Sequence, residues 1–335
     1  MLAVSLAFAV LSLWRIESVG PNAGRPSADA LNYAAILDGL PGAHFQHTGS
    51  ALSPLAGAVE AVPLLLSWPL TAAFGIWGLL ASFSLMVSLA AVPLAAIVDS
   101  RVRLPGAGIL VGVVYLLSLP AWGQLQDAIT FGTELAFPLF FFSAYASLLY
   151  GRRRAALALF ALSAFVHLGY GDLVALLGVL VATGAFPEIG SPRRFGASLV
   201  GIGVAPLAVG LLFVQWGQNL EGALGSATAG FNLTEPSSMV WVALAIFAPL
   251  AFAPLLAPRW VALLAPFFLL MATQSQYIPA LFQSVHVTLF MPFTFLGFTD
   301  ALRKLPNAAR WPLLTLVLGL ASVPALAAWG VQWPA

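Results

Sequence analysis

The chain has 335 residues, of which 61% are apolar and only 7% are charged, and its net charge is +1. A soluble domain carries about 25% charged residues, so this composition cannot supply a water-facing shell and predicts a polytopic membrane protein. The near-zero charge without a basic run excludes nucleic acid as a partner, and the absence of cysteine excludes disulfides and thiolate sites.

Apolar segments close to the length of a bilayer crossing follow one another along the chain. They predict a single multi-pass domain over 1–335, an all-α bundle of about eleven transmembrane helices. The predicted elements are, in order, a span at 2–14, a polar external loop at 15–53, an interfacial helix at 54–68, and spans at 71–98, 106–121, 131–150, 155–169, 172–186, 196–214, 239–257, 260–273, 283–302 and 311–330.

The apolar segment after the external loop is too long for one span. Ser53-Pro54 is typical of a helix start, with Ser as the cap and Pro in the first turn. Pro63 and Pro69 are predicted to divide the segment into an interfacial helix and a span, because proline removes a backbone donor.

Eleven spans place nearly all cationic residues on one side of the membrane, which the positive-inside rule makes cytoplasmic. The N-terminus is then inside and the C-terminus outside. The inside cations are Arg101, Arg103, Arg152, Arg153, Arg154, Arg193, Arg194, Arg259, Arg303, Lys304 and Arg310, and the inside acids are Asp99, Glu188 and Asp300. The other acids and all four histidines fall at or near the outer face, so we expect the functional face to be extracytoplasmic.

The polar loop at 27–54 follows the first span and carries the first candidate site. Asp29 begins a predicted short helix, where a carboxylate either caps the helix and meets its dipole or acts as a general base. His44 and His47 have an i, i+3 spacing that occurs in metal sites. Zinc needs three or four ligands and no third is specified nearby, so no metal or other cofactor is predicted.

Four further polar residues lie at predicted outer ends of spans. Glu134 lies one turn inside an apolar helix, where an ionisable residue indicates function. His167 and Asp172 flank a glycine-rich connection, and Asp172 is either the N-cap of the next helix or part of a substrate site. Tyr277 is either a substrate contact or an aromatic-belt residue.

The order of these features resembles a family of prokaryotic multi-pass membrane proteins of unknown function that is distantly similar to GT-C glycosyltransferases. The likeness rests on the acidic helix from Asp29 to Asp38, on Ser53-Pro54, on the surroundings of Glu134 and Asp172, and on the late segment PLAFAPLLAPRWVALLAPFFLLMATQSQY. The family often has His-Phe-Ser-Pro, His-Pro-Glu and basic-Glu-Asp strings. Here His44-Phe45 is separated from Ser53-Pro54, and the other two strings read Gly132-Thr133-Glu134 and Tyr170-Gly171-Asp172.

The resemblance implies a GT-C-like bundle in the prokaryotic inner membrane. Such an enzyme transfers a sugar from a polyprenyl-phosphate carrier at the outer face, with Asp29 in the position of the general base. Its partners are membrane lipids and the polyprenyl-phosphate sugar carrier. Arg25 or Arg15 would meet the carrier phosphate, although Arg15 alternatively snorkels at a helix end. The competing interpretations are a non-catalytic scaffold and a lipid or small-solute transporter.

Overall fold

The structure is a computed structural model, and it describes residues 1–18, 37, 61–121, 133–166, 170–213, 243–244, 246–265 and 288–328. Within these residues the chain is helical and contains no strand. The predicted all-α fold class is therefore confirmed for the part of the chain that the structure describes.

The helices are numbered along the chain. They are α1 (Leu2–Ser18), α2 (Ala61–Phe74), α3 (Ile76–Leu89), α4 (Ala91–Val102), α5 (Ala107–Ala121), α6 (Phe137–Leu149), α7 (Arg153–Ala164), α8 (Tyr170–Ala182), α9 (Pro192–Phe213), α10 (Pro258–Val261), α11 (Phe290–Lys304) and α12 (Asn307–Ala328). Short 3₁₀ turns occur at Thr133–Ala136, Ala248–Leu250, Ala253–Leu256 and Ala262–Leu264.

Among the residues that the structure describes, one helical segment is long and apolar enough to cross a membrane. Only Ala90 separates α3 from α4, and together they form a segment of 27 residues, Ile76–Val102. At 1.5 Å per residue its length is about 40 Å. Shorter apolar helices, among them those at Ala107–Ser118 and Tyr170–Ala182, accompany it in the described ranges. The number of about eleven spans stays a prediction.

The break in the long apolar segment lies further along than predicted. Pro69 does not end a helix but lies inside α2, which continues to Phe74. The chain instead turns at Gly75, whose φ of 58° is a left-handed conformation that costs glycine little. The predicted boundary at residue 68 is therefore wrong, and the portion of the interfacial helix before residue 61 lies outside the described residues.

The helix predicted over 239–257 is broken where the structure describes it. Two 3₁₀ turns replace its second half, and Ala251 and Phe252 between them both have positive φ. Pro249 and Pro254 each stand at the start of a turn, where the missing N–H costs nothing. Each of these prolines removes an N–H that a continuous helix would use in its backbone hydrogen bonds, which favours the break.

The centre of the described bundle is α11, in which every residue from Phe290 to Leu302 is buried. Its aromatic rings pack against those of neighbouring helices. Phe293 contacts Phe141 of α6 with ring centroids 5.1 Å apart, and Phe141 in turn meets Phe160 of α7 at 5.4 Å. Edge-to-face contacts of this kind stabilise the core beyond the area that they bury.

Helices α8 and α9 approach so closely that glycines line their contact. Gly178 of α8 faces Gly196 of α9, and Gly171 faces Gly203. A Cβ atom added to Gly178 would lie 2.7 Å from the carbonyl oxygen of Gly196 and 2.7 Å from the amide nitrogen of Val200. Each helix therefore presents two glycines seven residues apart to the other. Small residues at helix contacts are the packing mode preferred in membranes.

Candidate functional site

Four charged side chains from distant parts of the chain meet in one cluster, called the charged cluster below. Arg101 lies at the end of α4, Glu188 in the connection between α8 and α9, Arg259 in α10 and Asp300 in α11. Arg101 Nη2 donates to Glu188 Oε1 at 3.0 Å and to Asp300 Oδ1 at 2.9 Å. Arg259 donates from Nε to Asp300 Oδ2 at 2.9 Å and from Nη1 to Glu188 Oε2 at 3.0 Å. Two positive and two negative charges thus neutralise each other.

Aromatic side chains complete the charged cluster. The hydroxyl of Tyr145 donates to Glu188 Oε1 at 3.0 Å, and the indole nitrogen of Trp260 donates to Asp300 Oδ2 at 2.7 Å. The guanidinium of Arg259 stacks on Phe186, 4.6 Å from the ring centroid. Because each carboxylate accepts from both arginines and from one aromatic donor, neither is left to act as a base. The cluster is built to hold helices together.

The ionisation of Glu188 reflects this environment. Partial burial on its own raises the pKa of the carboxyl, but the hydrogen bonds from Arg259 and the charges of Arg259 and Arg101 outweigh that effect. The pKa of Glu188 therefore lies below its ordinary value. The carboxylate stays charged at neutral pH, as its role in the cluster requires.

Glu134 and Asp172 lie far from the charged cluster, Glu134 just before the start of α6 and Asp172 in the first turn of α8. Thr133 Oγ1 donates to the carbonyl oxygen of Val166 at 2.9 Å, and the ring of Phe137 packs edge-on against Tyr170 at 4.7 Å. These contacts bring the 3₁₀ turn that contains Glu134 to the start of α8. Since α8 has 13 residues and Glu188 follows its end, about 20 Å of helix separates this start from the charged cluster.

The two carboxylates at this far end differ in exposure and in partners. Glu134 is buried, with 5% of its surface exposed, and interacts electrostatically with Tyr170. Asp172 is exposed and has no hydrogen bond or ion pair with the residues that the structure describes. Since α8 already begins at Tyr170, Asp172 lies within the first turn, and its interpretation as the N-cap is wrong. Its charge still meets the helix dipole favourably.

Most of the predicted site lies outside the described residues. Asp29, Arg25, His44, His47, His167 and Tyr277 all belong to the ranges that the structure does not describe, so their roles stay predictions. No group of three or more potential metal ligands occurs among the residues that are described.

Sequence reasoning placed the members of the charged cluster on one side but did not predict that they pair. The available signal was the position of Glu188 and Asp300 close in sequence to Arg193, Arg194 and Arg303, because an isolated acid among arginines can form ion pairs. Tyr145 and Trp260 gave no signal, because aromatic residues are common throughout the chain.

The chain matches no family model, no curated protein and no solved structure.

Proposed function

We propose that the chain is a multi-pass membrane protein whose arginine-rich end faces the cytoplasm. The support is the meeting of Arg101, Arg259, Glu188 and Asp300 at one end of the bundle, because the predicted topology assigns all four to the same side. Arg310 joins them, since its Nη1 donates to the carbonyl oxygen of Val102 at 3.0 Å. Positive residues that gather at one end are what the positive-inside rule expects.

Single cysteines test this orientation, because the chain has none of its own. A cysteine at Arg154 should resist a membrane-impermeant maleimide in intact cells and react after permeabilisation. A cysteine at Thr234, in a predicted external loop, should react in intact cells. Labelling of position 154 from outside would contradict the orientation.

We further propose that the protein is a glycosyltransferase of GT-C type that uses a polyprenyl-phosphate sugar at the extracytoplasmic face. The observation that carries this proposal is the contrast between Asp172 and the carboxylates of the arginine-rich end. At the arginine-rich end Glu188 and Asp300 are fully engaged, and Asp99 accepts the backbone N–H of Gly108 at 3.0 Å. Asp172, at the far end, has no such engagement with described residues, and the resemblance adds Asp29 to that end.

Sugar transfer to an acceptor hydroxyl requires a base and a stabilised leaving group. As the bond from the sugar's anomeric carbon to the carrier phosphate breaks, a bond from that carbon to the acceptor oxygen forms. The acceptor hydroxyl loses its proton to a carboxylate, the role proposed for Asp29, with Asp172 among the substrate contacts. The phosphate departs with its charge, which Arg25 would balance. A positioned base contributes typically about 10²–10⁴-fold to the rate.

The test measures sugar transfer by the purified protein from a panel of polyprenyl-phosphate sugars. Asp29→Asn should lower the rate by about 10²–10⁴-fold while the protein still folds. Asp99→Asn is the matched control, because it changes a carboxylate at the opposite end, and it should leave transfer within about twofold. An Asp29→Asn protein that works at the wild-type rate would refute the base. A wild type that transfers nothing from any donor would refute the enzyme and favour the scaffold or transporter.

A further inference from the structure

A cavity at the arginine-rich end is lined almost wholly by cationic and polar side chains. Its volume is about 520 Å³, which falls within the range of small-molecule sites, roughly 300–1,000 Å³. None of the described residues that line it is a carboxylate. The lining residues are Ser100, Arg101, Val102, Arg103, Arg303, Asn307 and Arg310. This set is called the arginine cavity below.

Most of the positive charge in the arginine cavity is not neutralised by the protein. Arg101 belongs to the charged cluster, where two acids balance two arginines. Arg103 has no side-chain partner among the described residues, and Arg303 approaches its nearest acid, Asp300, only at 4.0 Å. Within the described part of the chain, Arg310 donates only to backbone carbonyl oxygens, those of Leu305, Val102 and Arg303. Three arginines therefore lack a full counter-charge.

Backbone contacts fix the side chain of Arg310, and the backbone at Arg103 is in an unusual conformation. Arg103 follows the end of α4 with a φ of 53°, a left-handed conformation that is uncommon for a residue other than glycine. Arg310 is fixed by its three carbonyl contacts, and these connect the end of α4 to the link between α11 and α12. The guanidinium of Arg310, held in this way, loses little side-chain entropy when it binds an anion, and the planar forks of all three guanidinium groups match phosphate oxygens.

An exposed apolar side chain lies beside the cavity. Trp311, directly after Arg310, has 46% of its surface exposed, and Leu316, Leu320 and Val323 further along α12 are exposed as well. Those three residues are spaced four and three positions apart and therefore share one face of the helix. At about 3.6 residues per turn Trp311 lies on a different face, so the apolar side chain next to the cavity is its indole. A ligand with an anionic head and an apolar tail would meet the arginines with its head and this indole with its tail.

We propose that the arginine cavity binds a phosphate-bearing anion, either the head group of an anionic phospholipid or a free phosphate compound. Arg103 and Arg303 bind the phosphate directly, and Arg310 contributes its charge and holds the cavity open. This site is separate from the proposed transferase site and does not depend on it, because the binding measurements below involve no sugar transfer.

The test compares two double variants with the same loss of charge. Arg103→Asn with Arg303→Gln removes both direct contacts, and asparagine tolerates the left-handed conformation at position 103. Arg193→Gln with Arg194→Gln is the control, since both arginines are exposed and lie outside the cavity. Circular dichroism and elution volume establish that each variant is folded. If the double variant misfolds, Arg303→Gln alone replaces it, because that side chain is 47% exposed.

Two probes distinguish the sources of the anion. Inorganic phosphate is titrated in neutral detergent at constant ionic strength, and phosphatidylglycerol or phosphatidic acid is added to the same micelles with phosphatidylcholine as reference. Binding of either probe, weakened at least tenfold in Arg103→Asn/Arg303→Gln and within twofold of wild type in the control, supports the site. Selective binding of the anionic lipids assigns a head group, and binding of inorganic phosphate assigns a free phosphate. No binding, or equal weakening in both double variants, overturns the proposal.

Discussion

The glycine contact between α8 and α9 predicts that one methyl group has opposite effects at two positions of the same helix. In Gly196→Ala the new Cβ would lie 2.5 Å from the carbonyl oxygen of Gly178 and 2.7 Å from the amide nitrogen of Ala182. Ordinary contact begins at 3.4 Å, so the two backbones must separate by about 0.9 Å. Overpacking of this kind costs about 1–3 kcal/mol. In Gly201→Ala the Cβ meets nothing within 4 Å.

Both substitutions gain the same helix propensity, about 0.5–1 kcal/mol, so the difference between them isolates the clash. We expect Gly201→Ala to be slightly more stable than wild type, and Gly196→Ala to be less stable than Gly201→Ala by about 1–3 kcal/mol. Circular dichroism at 222 nm during titration of the detergent-solubilised protein with dodecyl sulfate measures the order. Equal midpoints for the two variants would refute the close approach of α8 and α9.

Three further predictions concern the charged cluster. Asp300→Asn leaves two partly buried arginines with one acid and should lower the unfolding free energy by about 3–5 kcal/mol. Asp99→Asn changes an exposed carboxylate that accepts one backbone N–H and should cost about 1 kcal/mol. Comparable losses in the two variants would contradict the network. Folding lowers the pKa of Glu188, so its ionised form stabilises the folded protein fully at pH values above the ordinary pKa of about 4.3. This stabilisation is lost as the pH falls from that value to the lowered pKa of the folded protein. Glu188→Gln should flatten this acid limb of the stability profile, and a profile unchanged from wild type would exclude Glu188 as its source. Tyr145→Phe removes one hydrogen bond to Glu188 and should cost about 1.5–3 kcal/mol in the same unfolding assay, an expectation that a loss below 0.5 kcal/mol would overturn.

Periodicity and composition predicted where helices form far better than where they end or bend. Hydropathy located α5 and α9 within a few residues. In a long apolar segment the backbone N–H and C=O groups must hydrogen-bond to each other, and a helix achieves this within the segment itself. It misplaced the break near α2, since Pro69 was expected to interrupt the helix and Gly75 does so instead. Whether a proline is accommodated inside a helix, and whether a glycine ends one, depends on the packing around each residue, which a single sequence does not reveal.

For the charged cluster, the sequence predicted the side of the membrane but not the ion pairs. The one-sided distribution of arginines placed its members at the same end, because that rule depends only on the order of the spans. Which acid meets which arginine depends on how helices pack, and Arg101 and Asp300 are 199 positions apart. The glycines at the α8–α9 contact pose the same difficulty. Their spacing of seven within each helix is visible in the sequence, but the partner helix is not.

The separation between Arg101 and Asp300 has a consequence for biosynthesis. When Arg101 leaves the ribosome, its partner carboxylate lies 199 residues downstream, which corresponds to about 10–40 s of translation at 5–20 residues per second. Arg259 is likewise synthesised 41 residues before Asp300. Until α11 has been made, two arginines share Glu188 as their only acid from the cluster. A chain that stops before α11 therefore carries an uncompensated positive charge at the place where α4 and α10 would otherwise pair with α11.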